Sequence, residues 1–205
     1  MINLKIYLTR HGETEWNKEL RMQGWKNFNL TEKGIEDAKS LGKRLKNIDF
    51  DLIYSSPLKR ALDTAKYIRG IKNTKIVINE NFKEMNFGLW EGMNEEELTN
   101  QYPKEYETFI KKPQLFKPFG GETFTEFVHR IEKGLYDVID NNSSTDNILI
   151  VAHAVVIKAI MKIVKGYGIE KLWSLPFIRG TSITVLEVEN RNIKILLEGD
   201  TSHVL

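Results

Sequence analysis

Residues 147–152 read Asn-Ile-Leu-Ile-Val-Ala, with no charged side chain and no alternation of polar with apolar positions. A strand of that composition must be covered on both faces, as a central strand of a parallel sheet flanked by helices is. A helical pattern follows it to about Lys165, and the rest of the chain alternates in the same way. Residues 3–9 read as a first strand. Leu30-Thr31 opens a helix with Ile35, Ala38, Leu41 and Leu45 at helical spacing. Residues 51–55 form a second strand, and Ser56-Pro57 starts another helix, with serine suited to the N-cap and proline to the first turn. Residues 75–78 form a third, β-branched strand. Residues 94–141 are mostly helical but interrupted at Tyr102-Pro103, Lys112-Pro113 and 117–121. Thr181–Glu189 and Asn192–Glu198, joined at Asn190-Arg191, read as a closing hairpin. The expected fold is α/β: a three-layer sandwich over residues 1–205, mainly parallel sheet with helices on both faces, and a helical cap insertion at about 85–125.

Composition narrows the function. The 205 residues are 41% apolar, enough for one core. Net charge is +2, with lysines and glutamates intermixed, so a nucleic-acid partner is not expected. There are no cysteines, which excludes disulfides, thiolate metal sites and thiol nucleophiles. No apolar run reaches the roughly 18 residues of a membrane span, and the alternating start lacks a signal-peptide core. A cytoplasmic protein, monomer or homodimer, with no membrane partner is the expectation.

Ligands bind beyond the C-terminal strand ends of such sheets, and chemically capable residues gather there. The chain has four histidines. His11 follows the first strand beside Arg10, and His153 follows the apolar strand, a shared placement that favours function over structure for both. Arg60 stands early in the helix after strand two, where its guanidinium can extend toward the sheet edge or stay exposed and pair with Asp63. Glu84 is set among Phe82, Met85, Phe87 and Trp90, apolar walls that raise a carboxyl pKa. His129 falls off the stripe of Phe124, Phe127, Val128, Ile131, Leu135 and Val138, and reads as a surface residue. His203 is given no chemical role.

In order along the chain, Leu8-Thr9-Arg10-His11-Gly12-Glu13-Thr14-Glu15, Ser55-Ser56-Pro57-Leu58-Lys59-Arg60-Ala61, Phe82-Lys83-Glu84 with Phe87-Gly88-Leu89-Trp90-Glu91-Gly92, and Val151-Ala152-His153-Ala154 resemble the motifs of the histidine phosphatase superfamily, the phosphoglycerate-mutase-like enzymes. The resemblance, closest to the small phosphatase branch, runs from residue 4 to the C-terminus. It implies that His11 is the nucleophile, that Arg10, Arg60 and His153 cradle the phosphoryl oxygens, and that Glu84 is the proton donor. Asn17 and the Arg21–Trp25 stretch resemble the first substrate loop, which makes Asn17, Gln23 and Gly24 substrate-binding candidates. The N–H of Ala154 at a helix start is another. Lys83 stands where the family usually has arginine, Phe82 where it has leucine, Ala152 where it has serine or threonine, and Ala154 where it has glycine. The implied activity is phosphomonoester hydrolysis through a phosphohistidine, with no cofactor and no metal. Small sugar or carboxylate phosphates and α-ribazole phosphate are candidate substrates. A phosphoglycerate mutase using the same pocket is the alternative, and a non-catalytic phospho-ligand module a more distant one.

Overall fold

The computed structural model describes residues 3–142 and 144–204. Six strands, β1 (Asn3–Arg10), β2 (Leu52–Ser55), β3 (Lys75–Ile78), β4 (Asn147–Ala152), β5 (Ile183–Glu189) and β6 (Asn192–Asp200), form one sheet in the order β3-β2-β4-β1-β5-β6. The β3-β2-β4-β1 part is parallel, and β5 runs antiparallel to both β1 and β6. The helices are α1 (Glu15–Lys18), α2 (Glu32–Arg44), α3 (Lys59–Arg69), α4 (Glu95–Gln101), α5 (Pro103–Lys111), α6 (Phe124–Asn141) and α7 (Ala154–Val164). None of the described helices is long and apolar enough to cross a membrane.

The apolar run of β4 is divided residue by residue between the faces, as the two-residue period of a strand requires. Ile148, Ile150 and Ala152 join Leu4, Ile6 and Leu8 of β1 in a core under α6 and α7. Leu149 and Val151 join Leu41, Ala61, Ala65 and Ile68 in a second core under α2 and α3. Helices therefore cover both faces, and the expected stripe from Phe124 to Val138 is the buried face of α6. Between β3 and α6 the chain carries α4 and α5, with Trp90, Leu98, Phe109, Phe116 and Phe124 packed into the first core. The N-cap of α2 is Thr31, whose side chain accepts from Gly34 N–H. His129 is exposed.

Three boundaries differ from expectation. Strand β2 begins at Leu52, because Asp51 instead accepts the N–H groups of Asp146 and Asn147, each at 3.0 Å, at the start of β4. Helix α3 begins at Lys59 with Leu58 as N-cap and no side-chain cap. The Ser56 hydroxyl is engaged elsewhere. Strand β5 begins at Ile183, since Thr181 takes a positive φ of 55° and donates its N–H to the Arg10 carbonyl at 3.0 Å. The hairpin turn is where the sequence placed it: Asn190 and Arg191 take φ of 49° and 65°, the two left-handed residues a tight hairpin turn demands.

Candidate active site

Strands β1 and β4 end side by side, with Arg10 opposite Ala152, so the next residues, His11 and His153, leave the sheet together. Their ring centroids are 5.2 Å apart, and both histidines are buried. Helix α3, entered from the neighbouring end of β2, delivers Arg60, which is fully buried. The turn after β3 brings Glu84 into the same place, also buried.

The orientation of His11 follows from its partners. Its Nδ1 lies 2.7 Å from the Gly12 carbonyl, which can only accept, so Nδ1 carries the proton. Nε2 then bears the lone pair, and the Arg60 Nε–H donates to it at 3.2 Å. The loop is anchored by Thr64, whose hydroxyl accepts from Gly12 N–H at 3.0 Å while donating to the Arg60 carbonyl at 2.7 Å. Gly12 has no room for a side chain, because a Cβ there would stand 2.4 Å from the Gly34 carbonyl oxygen.

Arg60 is aimed by two carbonyls, Lys26 at 2.7 Å and Gly24 at 2.8 Å. Gly24 takes φ +52°, and a Cβ there would fall 2.0 Å from Glu91 Oε1. The arrangement thus gives Gly24 the work of holding the guanidinium. Burial pushes Arg60 down to about 10, against the pull of Glu84. Arg10 donates through Nη1 to the Ile178 carbonyl at 2.8 Å, and burial lowers its pKa as well.

His153 Nε2 lies 2.8 Å from the Ser56 hydroxyl. The Ser56 hydroxyl is buried and has no other acceptor among the described residues, so its proton goes to Nε2 and leaves Nδ1 protonated. His153 Nδ1 and Arg10 Nε are buried donors with no hydrogen-bond partner among the described residues. Buried donors of this kind cost stability unless something accepts from them, and an oxyanion between the two groups would do so. Burial first, then Arg60, holds both histidines well below the usual imidazole range, so both are neutral near pH 7.

Glu84 Oε1 accepts the Met85 N–H at 3.0 Å, and Oε2 the Val155 N–H at 3.4 Å. Burial nevertheless raises its pKa, against those bonds and the two arginines. Its backbone is strapped in place: its carbonyl accepts from Trp25 Nε1 at 2.8 Å and from Arg130 Nη2 at 3.2 Å. Lys83, standing where the family has arginine, lies over the Trp25 ring at 4.6 Å and pairs with Glu80 at 2.7 Å.

The remaining candidates lie around this centre. The Thr14 hydroxyl sits between the two amides, 3.0 Å from Asn17 Oδ1 and 3.1 Å from Gln23 Oε1, and its single proton serves one of them; Asn17 Oδ1 also accepts the Thr14 N–H at 3.0 Å. Asn17 lines a 540 Å³ cavity with Arg10, Lys33, Phe177 and Arg179. Ala154 is the first residue of α7, so its N–H is one of the helix's free N-terminal donors. It is not among the residues with positive φ, so its methyl costs the backbone nothing. His203 bridges Arg44 at 3.2 Å and Thr181 at 3.4 Å, pinning the C-terminal residues beside the cavity.

Three contributors escaped the sequence reading: Ser56, Thr64, and the Arg130–Glu122 pair behind Glu84. Among the described residues no group of three or more histidine, aspartate or glutamate side chains is arranged to hold a metal ion.

Comparison with known proteins agrees with this geometry. The family model for the histidine phosphatase superfamily (branch 1) matches residues 6–201. Phosphoserine phosphatase 1 of Hydrogenobacter thermophilus is 32% identical over 201 residues, covering 98% of this chain and 94% of the relative. The 2,3-bisphosphoglycerate-dependent phosphoglycerate mutase of Bartonella tribocorum is 31% identical over 184 residues, covering 87% and 89%. The solved structure of Bacillus stearothermophilus YhfR superposes with a TM-score of 0.94 at 40% identity, covering 98% of this chain and 100% of that one. The chain belongs to branch 1 of the histidine phosphatase superfamily.

Proposed function

We propose that this histidine phosphatase hydrolyses small phosphomonoesters by two in-line phosphoryl transfers through a phosphohistidine on His11. The observation that carries the reading is the His11 ring, with Nδ1–H on the Gly12 carbonyl and Nε2 unprotonated beside Arg60. In the first transfer the Nε2–P bond forms as the P–O bond to the alcohol breaks, and the Glu84 carboxyl gives its proton to the departing oxygen. In the second, water attacks phosphorus, the Nε2–P bond breaks, and the Glu84 carboxylate takes the proton from water. Arg10 Nε, His153 Nδ1 and the Arg60 guanidinium serve the non-bridging oxygens, with the Asn17 and Gln23 amides and the Ala154 N–H at the rim. The charge that builds on those oxygens is met by the two guanidiniums, so the mechanism calls for no metal.

The test is a quench experiment. Wild-type protein with p-nitrophenyl phosphate gives a phosphoenzyme that survives alkali and is lost in acid, and folded His11→Ala gives neither phosphoenzyme nor turnover. Substantial turnover by His11→Ala removes the assigned nucleophile. The similarity to a mutase favours a second reading, in which the phosphoryl group returns to a bound acid rather than to water. A mutase assay with and without 2,3-bisphosphoglycerate separates the two.

A further inference from the structure

Trp25 is 40% exposed, and the proposed mechanism gives its side chain nothing to do. It stands between the two residues whose carbonyls aim the Arg60 guanidinium, Gly24 at 2.8 Å and Lys26 at 2.7 Å. Its indole Nε1–H donates to the Glu84 carbonyl at 2.8 Å. A ring that buries only part of its surface is weakly held by the hydrophobic effect, and the indole N–H is the group that finds a specific partner. Lys83, the neighbour of Glu84, lies over the same ring at 4.6 Å and confines it from the other side. One residue therefore connects the arginine that grips phosphate, through its two neighbours, with the carboxyl that serves as acid, through its side chain.

Glu91 fixes this residue in place. Its Oε1 accepts the Trp25 backbone N–H at 2.8 Å, and its carbonyl accepts from Lys26 Nζ at 3.0 Å. The carboxylate comes so close over the loop that a Cβ on Gly24 would fall 2.0 Å from Oε1. The flanking chain is bonded in the same way. Gly92 N–H donates to the Met22 carbonyl at 2.8 Å, Met22 N–H to the Met93 carbonyl at 3.0 Å, and Arg21 Nη1 to the Gly92 carbonyl at 2.6 Å. Residues 21–26 are thus laid along 91–93, and the Glu91 side chain is the bond that reaches Trp25 itself.

We propose that Trp25, locked by the Glu91 side chain, is a positioning residue that couples the phosphate grip of Arg60 to the placement of Glu84. The inference rests on the phosphatase reading above. A loop displaced at this one point misaims the guanidinium through the Gly24 and Lys26 carbonyls and releases the Glu84 carbonyl through the indole, so both halves of the reaction suffer together.

Three variants separate the bonds. Trp25→Phe keeps a ring and the main chain but removes the Nε1–H, Glu91→Ala removes the acceptor of the Trp25 N–H, and Glu91→Gln restores an acceptor. Each is assayed for kcat with propyl phosphate and with p-nitrophenyl phosphate, and for competitive inhibition by inorganic phosphate, which reads the grip of Arg60. Trp25→Phe should lower kcat about ten-fold for propyl phosphate and about two-fold for p-nitrophenyl phosphate, with phosphate affinity within about two-fold of wild type. Glu91→Ala should lose both functions, about ten-fold in the propyl phosphate kcat and about ten-fold in phosphate affinity, and Glu91→Gln should recover each to within about three-fold of wild type. A merely structural role would lower Tm and slow the two esters alike. If Glu91→Ala does not fold, Glu91→Asp, whose shorter arm withdraws the acceptor, takes its place. Turnover of p-nitrophenyl phosphate alone by wild type, an unchanged ratio between the esters in Trp25→Phe, or a Glu91 variant that loses one function without the other overturns this inference and spares the phosphatase reading. No turnover of either ester by wild type overturns both.

Discussion

Replacing Arg130 by leucine tests whether Glu84 is held in place from behind. Arg130 clasps Glu122 in a two-pronged pair, Nε to Oε1 and Nη2 to Oε2, both at 2.8 Å. The same guanidinium donates to the carbonyls of Asn81 at 2.6 Å, Lys83 at 3.1 Å and Glu84 at 3.2 Å. Glu122 in turn accepts the Asn86 N–H at 2.9 Å, so the pair brackets the segment that presents Glu84. The two side chains are 19% and 17% exposed. This lies between a surface pair, worth about 0–1 kcal/mol, and a fully buried one, whose breakage costs about 3–5 kcal/mol. A loss of about 2–3 kcal/mol is expected, or roughly 5–10 °C in Tm for a domain of this size. Activity should respond unevenly. A misplaced acid costs an alkyl phosphate about 10- to 100-fold in kcat, but costs p-nitrophenyl phosphate less, because nitrophenolate departs without a proton. Thermal melts and the two assays, repeated on Glu122→Gln and the double variant, should show a coupling of at least about 1 kcal/mol. A Tm lowered by less than about 2 °C, or equal losses on both substrates, would refute the reasoning.

Glu84→Gln should slow alkyl phosphates by about 100-fold or more and p-nitrophenyl phosphate far less. Since the acid acts protonated and burial raises its pKa, wild-type kcat/KM for alkyl esters declines as pH rises through that pKa, and the variant should lose this alkaline limb; an unchanged pH profile would make Glu84 structural. Ser56→Ala removes the donor to His153 Nε2 and frees the ring to change tautomer, so phosphate binding should weaken about five-fold, with a shift in the His153 ring-nitrogen NMR signals; unaltered phosphate affinity would count against it. Hydrolysis of p-nitrophenyl phosphate should persist after dialysis against EDTA, and activity that returns only with added Mg²⁺ would sink the mechanism.

What was legible in the chain and what was not divides along sequence distance. The apolar run 147–152 requires cover on both faces, and the parity of a strand then assigns Leu149 and Val151 to one core and Ile148 and Ile150 to the other. Strand ends could be read locally, so the placement of His11 and His153 just beyond β1 and β4 was legible. Ser56 was expected to cap α3 because serine before proline is a local signal, yet it bonds a residue 97 positions away. That contact exists because β2 and β4 pair with Ser55 opposite Val151, which brings the residues after both strands abreast. No local pattern reports the pairing. Arg130 was hidden for a similar reason: helical spacing places it on the polar side of α6, and only the fold lays the turn after β3 against that side. Gly24 was read as a substrate-binding candidate from its loop alone, and its carbonyl's bond to Arg60 depends on a contact 36 residues away that no local pattern reports.

The electrostatics of the centre follow from which groups burial leaves charged. Desolvation acts on every member: it keeps His11 and His153 neutral and favours the protonated form of Glu84. A neutral imidazole is what a nucleophile needs, and a protonated carboxyl is what an acid needs. The guanidiniums resist the same pressure, because even at about 10 Arg60 stays charged at neutral pH. In the proposed mechanism Glu84 is protonated when substrate binds, which leaves at the centre the charges of Arg10 and Arg60 beside the unpartnered Arg10 Nε and His153 Nδ1. A phosphomonoester dianion would carry the equal and opposite charge and accept from those donors. On the proposed mechanism, low dielectric sets the protonation states and the preference for phosphate together, and substitutions that admit water to the centre should weaken both at once.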